Sequence, residues 1–156
     1  MILFVIYTMT KSHRLHPVVK VAEQKEHGTA IAVAESKRLL DEQLSKLSQL
    51  NAYLNEYMEM FGILGKQGLS VQKMQEYRIF LANLEAAVTQ QRHLVAMHQE
   101  SYEQNKKQWY AARGKVKALG VVIAHHEQKE QQEDRRRDQK ELDDRPGMPR
   151  NLRTGK

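Results

Sequence analysis

The sequence predicts an all-α fold: an antiparallel two-helix coiled-coil hairpin with a longer second helix. Three observations predict it. Apolar residues recur in alternating steps of three and four along two long stretches, the signature of helices that wind on one another. Between the stretches, Phe61-Gly-Ile-Leu-Gly-Lys-Gln-Gly68 places three glycines in eight residues, a helix stop followed by a short connector. The composition also suits long helices better than a compact core. Of 156 residues, 28% are charged and 6% aromatic, with one Trp, three Pro and eight Gly. That is too few turn formers for most all-β folds.

The elements follow in order. Residues 1–10 begin with an apolar run, Met1 to Met9. It is too short to span a bilayer, which takes about 20 residues. It also lacks the cationic start and small-residue cleavage site of a signal peptide. Met9 is an alternative start, and the prefix is expected to be unstructured. The hairpin is expected over 11–142, with a first helix over about 15–61, a turn over about 62–69 and a second helix over about 70–142. Pro17 suits the first turn of a helix, where its missing N–H costs nothing. Ser70 can cap the second helix. Residues 143–156 hold Arg145-Pro-Gly-Met-Pro-Arg150, which ends helix potential, and read as a disordered tail.

The seam of the first helix is read at 40, 44, 47, 51, 54, 58 and 61: Leu, Leu, Leu, Asn, Leu, Met, Phe. That of the second is read from Met74 to Ile123 through Tyr77, Leu81, Leu84, Val88, Gln91, Val95, His98, Tyr102, Asn105, Trp109, Ala112, Val116 and Leu119. A strict heptad held this long imposes a left-handed supercoil. A short connector makes the helices antiparallel. The second helix is expected to overhang the first, leaving seam residues beyond about Trp109 with little or no partner. Asn51, Gln91, His98 and Asn105 are polar seam positions, which lower stability and can fix register.

No chemistry-bearing constellation accompanies the helices. The absence of Cys excludes disulfides, zinc–thiolate sites and thiol catalysis. The glycines are not followed by Lys-Ser/Thr in phosphate-loop register, and there is no Gly-x-Ser-x-Gly elbow. Seven histidines are present, but His125 and His126 point about 100° apart on a helix. His93 and His98 lack the i, i+4 spacing of a helical zinc site. No catalytic residue, cofactor or metal is therefore expected.

Two surface features remain. The net charge is +6, compatible with an acidic partner. Its densest part is Lys106, Lys107, Arg113, Lys115 and Lys117, with Trp109 and Tyr110 among them. A nucleic-acid contact is the rival reading of these residues, weakened by their spread over several helix faces. The second feature is an apolar stripe beside the seam: Leu50, Tyr53 and Tyr57 on the first helix, and Phe80, Leu84, Ala87 and Leu94 on the second. An apolar patch with no core to bury it marks a protein-interaction surface.

The segments Arg14–Glu26, Tyr53–Tyr57 and Tyr77–Gln90 resemble, in order, elements of the FliJ family of flagellar export proteins. Arg14-Leu-His-Pro-Val-Val-Lys-Val-Ala-Glu-Gln-Lys-Glu26 resembles its opening R-L-x-P-L-L-x-x-A-E-x-K-E. Tyr53-Leu-Asn-Glu-Tyr57 resembles Y-x-N-E-Y, and Tyr77-Arg-Ile-Phe-Leu-Ala-Asn-Leu-Glu-Ala-Ala-Val-Thr-Gln90 resembles Y-x-x-F-I-x-x-L-E-x-A-I-x-Q. The resemblance covers roughly Lys11 to Leu142. It implies a non-enzymatic antiparallel coiled coil of the flagellar type III export apparatus, similar to the stalk of rotary ATPases. The implied partners are the hexameric export ATPase, the cytoplasmic domain of the membrane export gate and export chaperones, with no nucleic acid. The implied location is cytoplasmic, peripheral on the inner membrane through those partners. The implied need is in flagellum assembly, and so in motility and chemotaxis. The gate-binding positions match Leu50, Tyr53, Tyr57, Phe80, Leu84 and Ala87. Two further positions depart from the pattern: Lys46 stands for Gln and Gln91 for His. The resemblance also offers Lys106, Lys107, Arg113, Lys115 and Lys117 as a region facing the ATPase. The stalk of a virulence-type secretion system is the alternative in the same class.

Overall fold

The computed structural model describes residues 10–144. Of the expected unstructured prefix, 1–10, and the expected disordered tail, 143–156, residues 1–9 and 145–156 lie outside them, and Asp143 is the last residue of the second helix. The described residues form two α-helices: α1, Lys11–Gln67, of 57 residues, and α2, Val71–Asp143, of 73 residues. The all-α hairpin with the longer second helix is the fold observed. Two compact units make it up. A turn unit, Gln24–Arg113, pairs most of α1 with the first part of α2. A terminal unit joins the start of α1, through Glu23, to α2 from Gly114 onward.

The connector is shorter than expected. α1 runs through Gly62 and Gly65 and stops at Gln67, because Leu64 still finds cover against α2. The helix carries both glycines, at roughly 1 kcal/mol each, with Phe61 and Leu64 half-buried beside them. The stop is Gly68, whose φ of 89° is the left-handed cap conformation that a side chain resists. Ser70 then caps α2: its Oγ accepts from the Lys73 amide at 3.4 Å and its carbonyl from the Met74 amide at 3.0 Å. A Cβ added at Gly62 or Gly65 meets nothing within 4 Å. Gly62→Ala and Gly65→Ala are each expected to raise stability by about 0.5–1 kcal/mol. Gly68→Ala, at positive φ, is expected to lower it. Thermal melts of the three variants check the opposite signs.

α1 also begins earlier than expected. Thr10 accepts from the Arg14 amide at 3.2 Å, so Pro17 lies inside the helix rather than in its first turn. The ring sits on the exposed face, where the helix gives up one hydrogen bond but loses no packing. With ends at Lys11 and Gln67, α1 is long enough to cover α2 well past Trp109. Within the terminal unit Ile123 is 8% exposed, and Glu130 reaches Ser12. The expected overhang from about Trp109 is therefore incorrect; pairing continues to Glu130.

Every seam position expected on α2 is covered. On α1 the phase is different. In the turn unit the covered row is Glu26, Thr29, Val33, Ser36, Leu40, Gln43, Leu47, Leu50, Leu54, Tyr57, Phe61 and Leu64. Leu44 and Met58, expected in the seam, are 43% and 51% exposed. Their places are taken by Gln43 and Tyr57, and Asn51 shifts to the rim beside Leu50. The reason is continuity. The observed phase extends back in unbroken steps of three and four, and in the terminal unit it reads Ser12, Leu15, Val19 and Ala22. The expected phase gains Leu44 and Met58 but puts Asn51 in place of Leu50, and has no such extension.

The seam is shallow. Leu40 and Val88 are the most covered apolar residues, at 3% exposed, and no large side chain is fully buried among the described residues. Two helices without a third layer leave each other's outer faces in water. Polar seam groups are satisfied. Gln91, 8% exposed, donates through Nε2 to the Gln43 carbonyl at 3.0 Å and to Gln43 Oε1 at 2.9 Å. Ser36 donates to the Val33 carbonyl at 3.0 Å. Asn105 reaches the Ala32 carbonyl only at 3.5 Å, too long for a strong bond. Gln91 is therefore the polar residue that fixes register in the turn unit, as an unpaired buried amide in any shifted pairing would be costly.

Candidate functional site

With seam positions labelled a and d, Ser12 and Met74 being a, the residues before each a form row g and those after each d form row e. In an antiparallel pair the g rows of both helices border one edge of the seam, and the e rows the other. Leu50, Tyr53 and Tyr57 occupy d, g and d on α1; Phe80, Leu84 and Ala87 occupy g, d and g on α2. The six residues thus share one edge of the turn unit. The rings of Tyr57 and Phe80 meet edge to face, 4.8 Å between centroids, across the two helices.

The stripe is nevertheless not wholly beside the seam. Leu50, Tyr57 and Leu84 are half-buried in it, whereas Tyr53 is 54% and Phe80 43% exposed. Ala87 is half-buried on the g row. The stripe reads as a graded edge: d residues support, and Tyr53 and Phe80 present apolar surface to solvent. Leu94, 37% exposed, continues it on α2. Met60 and Leu39 extend it on α1 and were not identified from the sequence. They lie seven residues after Tyr53 and fourteen before it, a row visible once the phase is known. Met60 Sδ accepts from the Tyr77 hydroxyl at 3.7 Å. Of the two departures from the family pattern, Lys46 stands exposed on the g row. Gln91 is inside the seam, bonded to Gln43, and presents nothing to a partner.

The opposite edge differs. There α2 contributes Arg78, Glu85, Arg92, Gln99, Lys106 and Arg113, with no apolar residue among them. The g edge is thus the one on which both helices present apolar side chains.

The basic residues divide between the two units. In the turn unit Lys106 is held by Glu103, at 3.1 Å, and lies over the Tyr102 ring, 5.0 Å from its centroid. The Glu103 hydrogen bond raises its pKa further, so it stays cationic at all working pH. Arg113 lies over Trp109, 5.3 Å from the ring centroid. Trp109 itself donates through Nε1 to Glu26 Oε1 at 2.8 Å, which explains an acidic residue at a seam position. Lys107 is exposed. In the terminal unit Lys115 and Lys117 are exposed. The turn unit has eleven cations against ten acids, so its basic character is local.

The terminal unit carries a contact that spacing alone did not reveal. Ser12, 6% exposed, donates through its amide to Glu130 Oε1 at 3.1 Å and through its hydroxyl to Glu130 Oε2 at 2.6 Å. A carboxylate from α2 therefore caps the first turn of α1, where amides lack helical partners and the helix dipole favours an anion. Nearby, His16 Nε2 stands 3.6 Å from Glu127. The Ser12 hydroxyl, then its amide, lower the Glu130 pKa from its ordinary 4.5. A lowered folded value means the cap's contribution is present above the unfolded carboxylate pKa and is lost as pH falls through the folded one. Release of the α1 start is thus expected only in acid, below about pH 4.5. The Ser12 amide resonance, followed by NMR as pH is lowered, should move there in the wild type and stay still in Glu130→Gln.

No group of three or more His, Cys, Asp or Glu able to hold a metal occurs among the described residues, and no described helix is long and apolar enough to cross a membrane. A family model described as "Flagellar FliJ protein" matches residues 10–148, in agreement with the resemblance read over Lys11 to Leu142. Comparison with curated proteins gives no match, and comparison with solved structures gives none.

Proposed function

The chain belongs to the FliJ family of flagellar proteins, and from that premise we propose that it is a non-enzymatic adaptor of the flagellar export apparatus, linking the hexameric export ATPase to the cytoplasmic domain of the export gate. The observation that carries this reading is the g edge of the turn unit. Tyr53 and Phe80 stand exposed there on a support of Leu50, Tyr57, Leu84 and Ala87. Large exposed aromatics over a packed base are the composition of interface anchors. The basic residues Lys106, Lys107, Arg113, Lys115 and Lys117 are assigned to the ATPase. Export chaperones are further partners, and nucleic acid is not one. The protein works by contact at the cytoplasmic side of the inner membrane, held there by its partners.

The test is a pull-down with purified ATPase and gate fragment. The wild type is expected to retain both, and Tyr53→Ala with Phe80→Ala only the ATPase. Loss of both partners together, or of neither, would remove the assignment. ATPase binding is further expected to weaken as salt rises from about 0.05 to 0.3 M, because exposed charge pairs are screened beyond a Debye length of about 10 Å at 0.1 M. Binding indifferent to salt would count against the basic residues.

A further inference from the structure

The terminal unit has two unlike edges. With the same row labels, His16 and Glu127 are e residues, 3.6 Å apart, and Glu23 follows on the same row. The g edge lies across the seam from them. Lys11 and Val18 occupy it on α1, and Lys115, Val122 and Lys129 on α2. Farther round the same side, on rows c and f, stand Arg14 and Val21 of α1, and Val121 and His125 of α2. Over 11–23 and 114–130, rows c, f and g hold no Asp or Glu. The carboxylates of that stretch are Glu23 and Glu127 on the e edge and Glu130 in the seam. The g side is apolar as well as basic: Val18, Val21, Val121 and Val122 are between 43% and 71% exposed. Its cations are also unspent. Lys11, Arg14 and Lys129 enter no ion pair among the described residues. Together they line a cleft of about 370 Å³. Glu130 lines it too, but both its oxygens accept from Ser12, which leaves Glu133 as the other acid there.

We propose that the g side of the terminal unit contacts the surface of an anionic lipid bilayer directly. Lys11, Arg14 and Lys129 take lipid phosphates at the cleft, and the four valines lie in the headgroup layer. Charge sets the class of occupant: a side with cations, exposed apolar groups and no carboxylate complements an anionic surface. Two observations choose a bilayer over an acidic protein. Rows c, f and g of this stretch hold no Trp, Tyr, Phe or Leu, the large side chains that anchor protein interfaces by filling pockets. A fluid headgroup layer needs no such fit. In the sequence, moreover, the uncharged run Met1 to Met9, with Ile2, Leu3 and Phe4, immediately precedes the helix that carries this side. Stable attachment to a bilayer takes an apolar signal together with a basic patch, and the two adjoin here along the chain. The adaptor reading brings the protein to the membrane through its partners. The contact proposed here is direct and uses no residue assigned to the gate.

The test is co-sedimentation of the full chain with vesicles at about 0.1 M salt. The vesicles are phosphatidylcholine alone, or phosphatidylcholine with about one-third phosphatidylglycerol. Binding is expected only to the anionic vesicles. Each cation near such a surface strengthens partitioning about fivefold, so Arg14→Gln with Lys129→Gln should weaken it by about tenfold or more. Lys20→Gln with Lys117→Gln removes the same charge from the other side of the terminal unit, and should leave binding within about twofold. Val21→Thr with Val121→Thr keeps size and charge, and should weaken binding by about threefold or more. Circular dichroism is expected to show unchanged helicity in all three, since every substituted residue is exposed. A chain begun at Met9 keeps the whole side and should still bind anionic vesicles, with the same loss on Arg14→Gln, Lys129→Gln. Four outcomes overturn the proposal. Absence of binding to anionic vesicles is the first. Equal loss from the two charge pairs would reduce the effect to net charge. Binding abolished in the chain begun at Met9 would assign it to the apolar run alone. Binding to polyglutamate as strong as to anionic vesicles would assign the cations to an acidic protein.

Discussion

Alanine at both Tyr53 and Phe80 is expected to weaken binding to the gate's cytoplasmic domain at least tenfold while leaving the hairpin folded. The argument is about where each ring spends its surface. Both are near half exposed, so the seam loses little when they go. The one structural debt is the edge-to-face contact of Phe80 with Tyr57, on the order of 1 kcal/mol. At an interface the same rings would be desolvated, and truncating an anchor of this kind costs more than about 1 kcal/mol each. Two such losses correspond to more than tenfold in Kd. Titration calorimetry gives the affinity and far-ultraviolet circular dichroism the helicity. A helicity loss as large as the binding loss would mean that the rings are core. Leu44→Ala with Met58→Ala is the matched control, because these residues are equally exposed but lie on the other edge.

Leu40→Ala is expected to have the largest effect on stability, about 2–3 kcal/mol. Leu40 is 3% exposed and sits one step from the Gln43–Gln91 pair, so the loss combines missing transfer energy with a gap the stiff helices cannot close. The lower part of the usual Leu-to-Ala range applies because the seam is only two helices thick and the gap opens toward water. Thermal or urea unfolding measures it. Leu44→Ala, by contrast, is expected to stay within about 0.5 kcal/mol. Equal losses at 40 and 44 would restore the phase in which both are seam residues.

Much of the fold was legible because coiled-coil pairing is written in spacing. The α2 seam from Met74 to Ile123 was readable position by position, since a heptad sustained that long leaves one phase. The α1 seam was misread over one stretch for a physical reason. Between Leu40 and Phe61 two phases compete with equal apolar content: Leu44 and Met58 with Asn51 in one, Leu50 and Tyr57 with Gln43 in the other. Gln43 is tolerable in the seam because Gln91 bonds it, a pairing no single-helix pattern displays. The same holds for Glu26, whose place depends on Trp109, and for Glu130, which caps a helix end 118 residues away. The six residues of the apolar stripe were named from the sequence, but their division into half-buried and exposed members was not. Which of d and g faces solvent is decided only when the partner helix is in place. The glycines misled in a similar way. Gly62 and Gly65 weaken a helix but do not end it while Leu64 has cover, and only Gly68 takes the conformation that stops one.

One chain is expected to hold both proposed partners, the ATPase and the gate, at once. Sedimentation of the ATPase hexamer with labelled gate fragment, with and without the chain, tests it most directly. The gate fragment is expected to move with the ATPase only when the wild-type chain is present, and not with the Tyr53→Ala, Phe80→Ala chain. Gate fragment that is displaced from the chain as the ATPase is added, so that the two never sediment together, would contradict it.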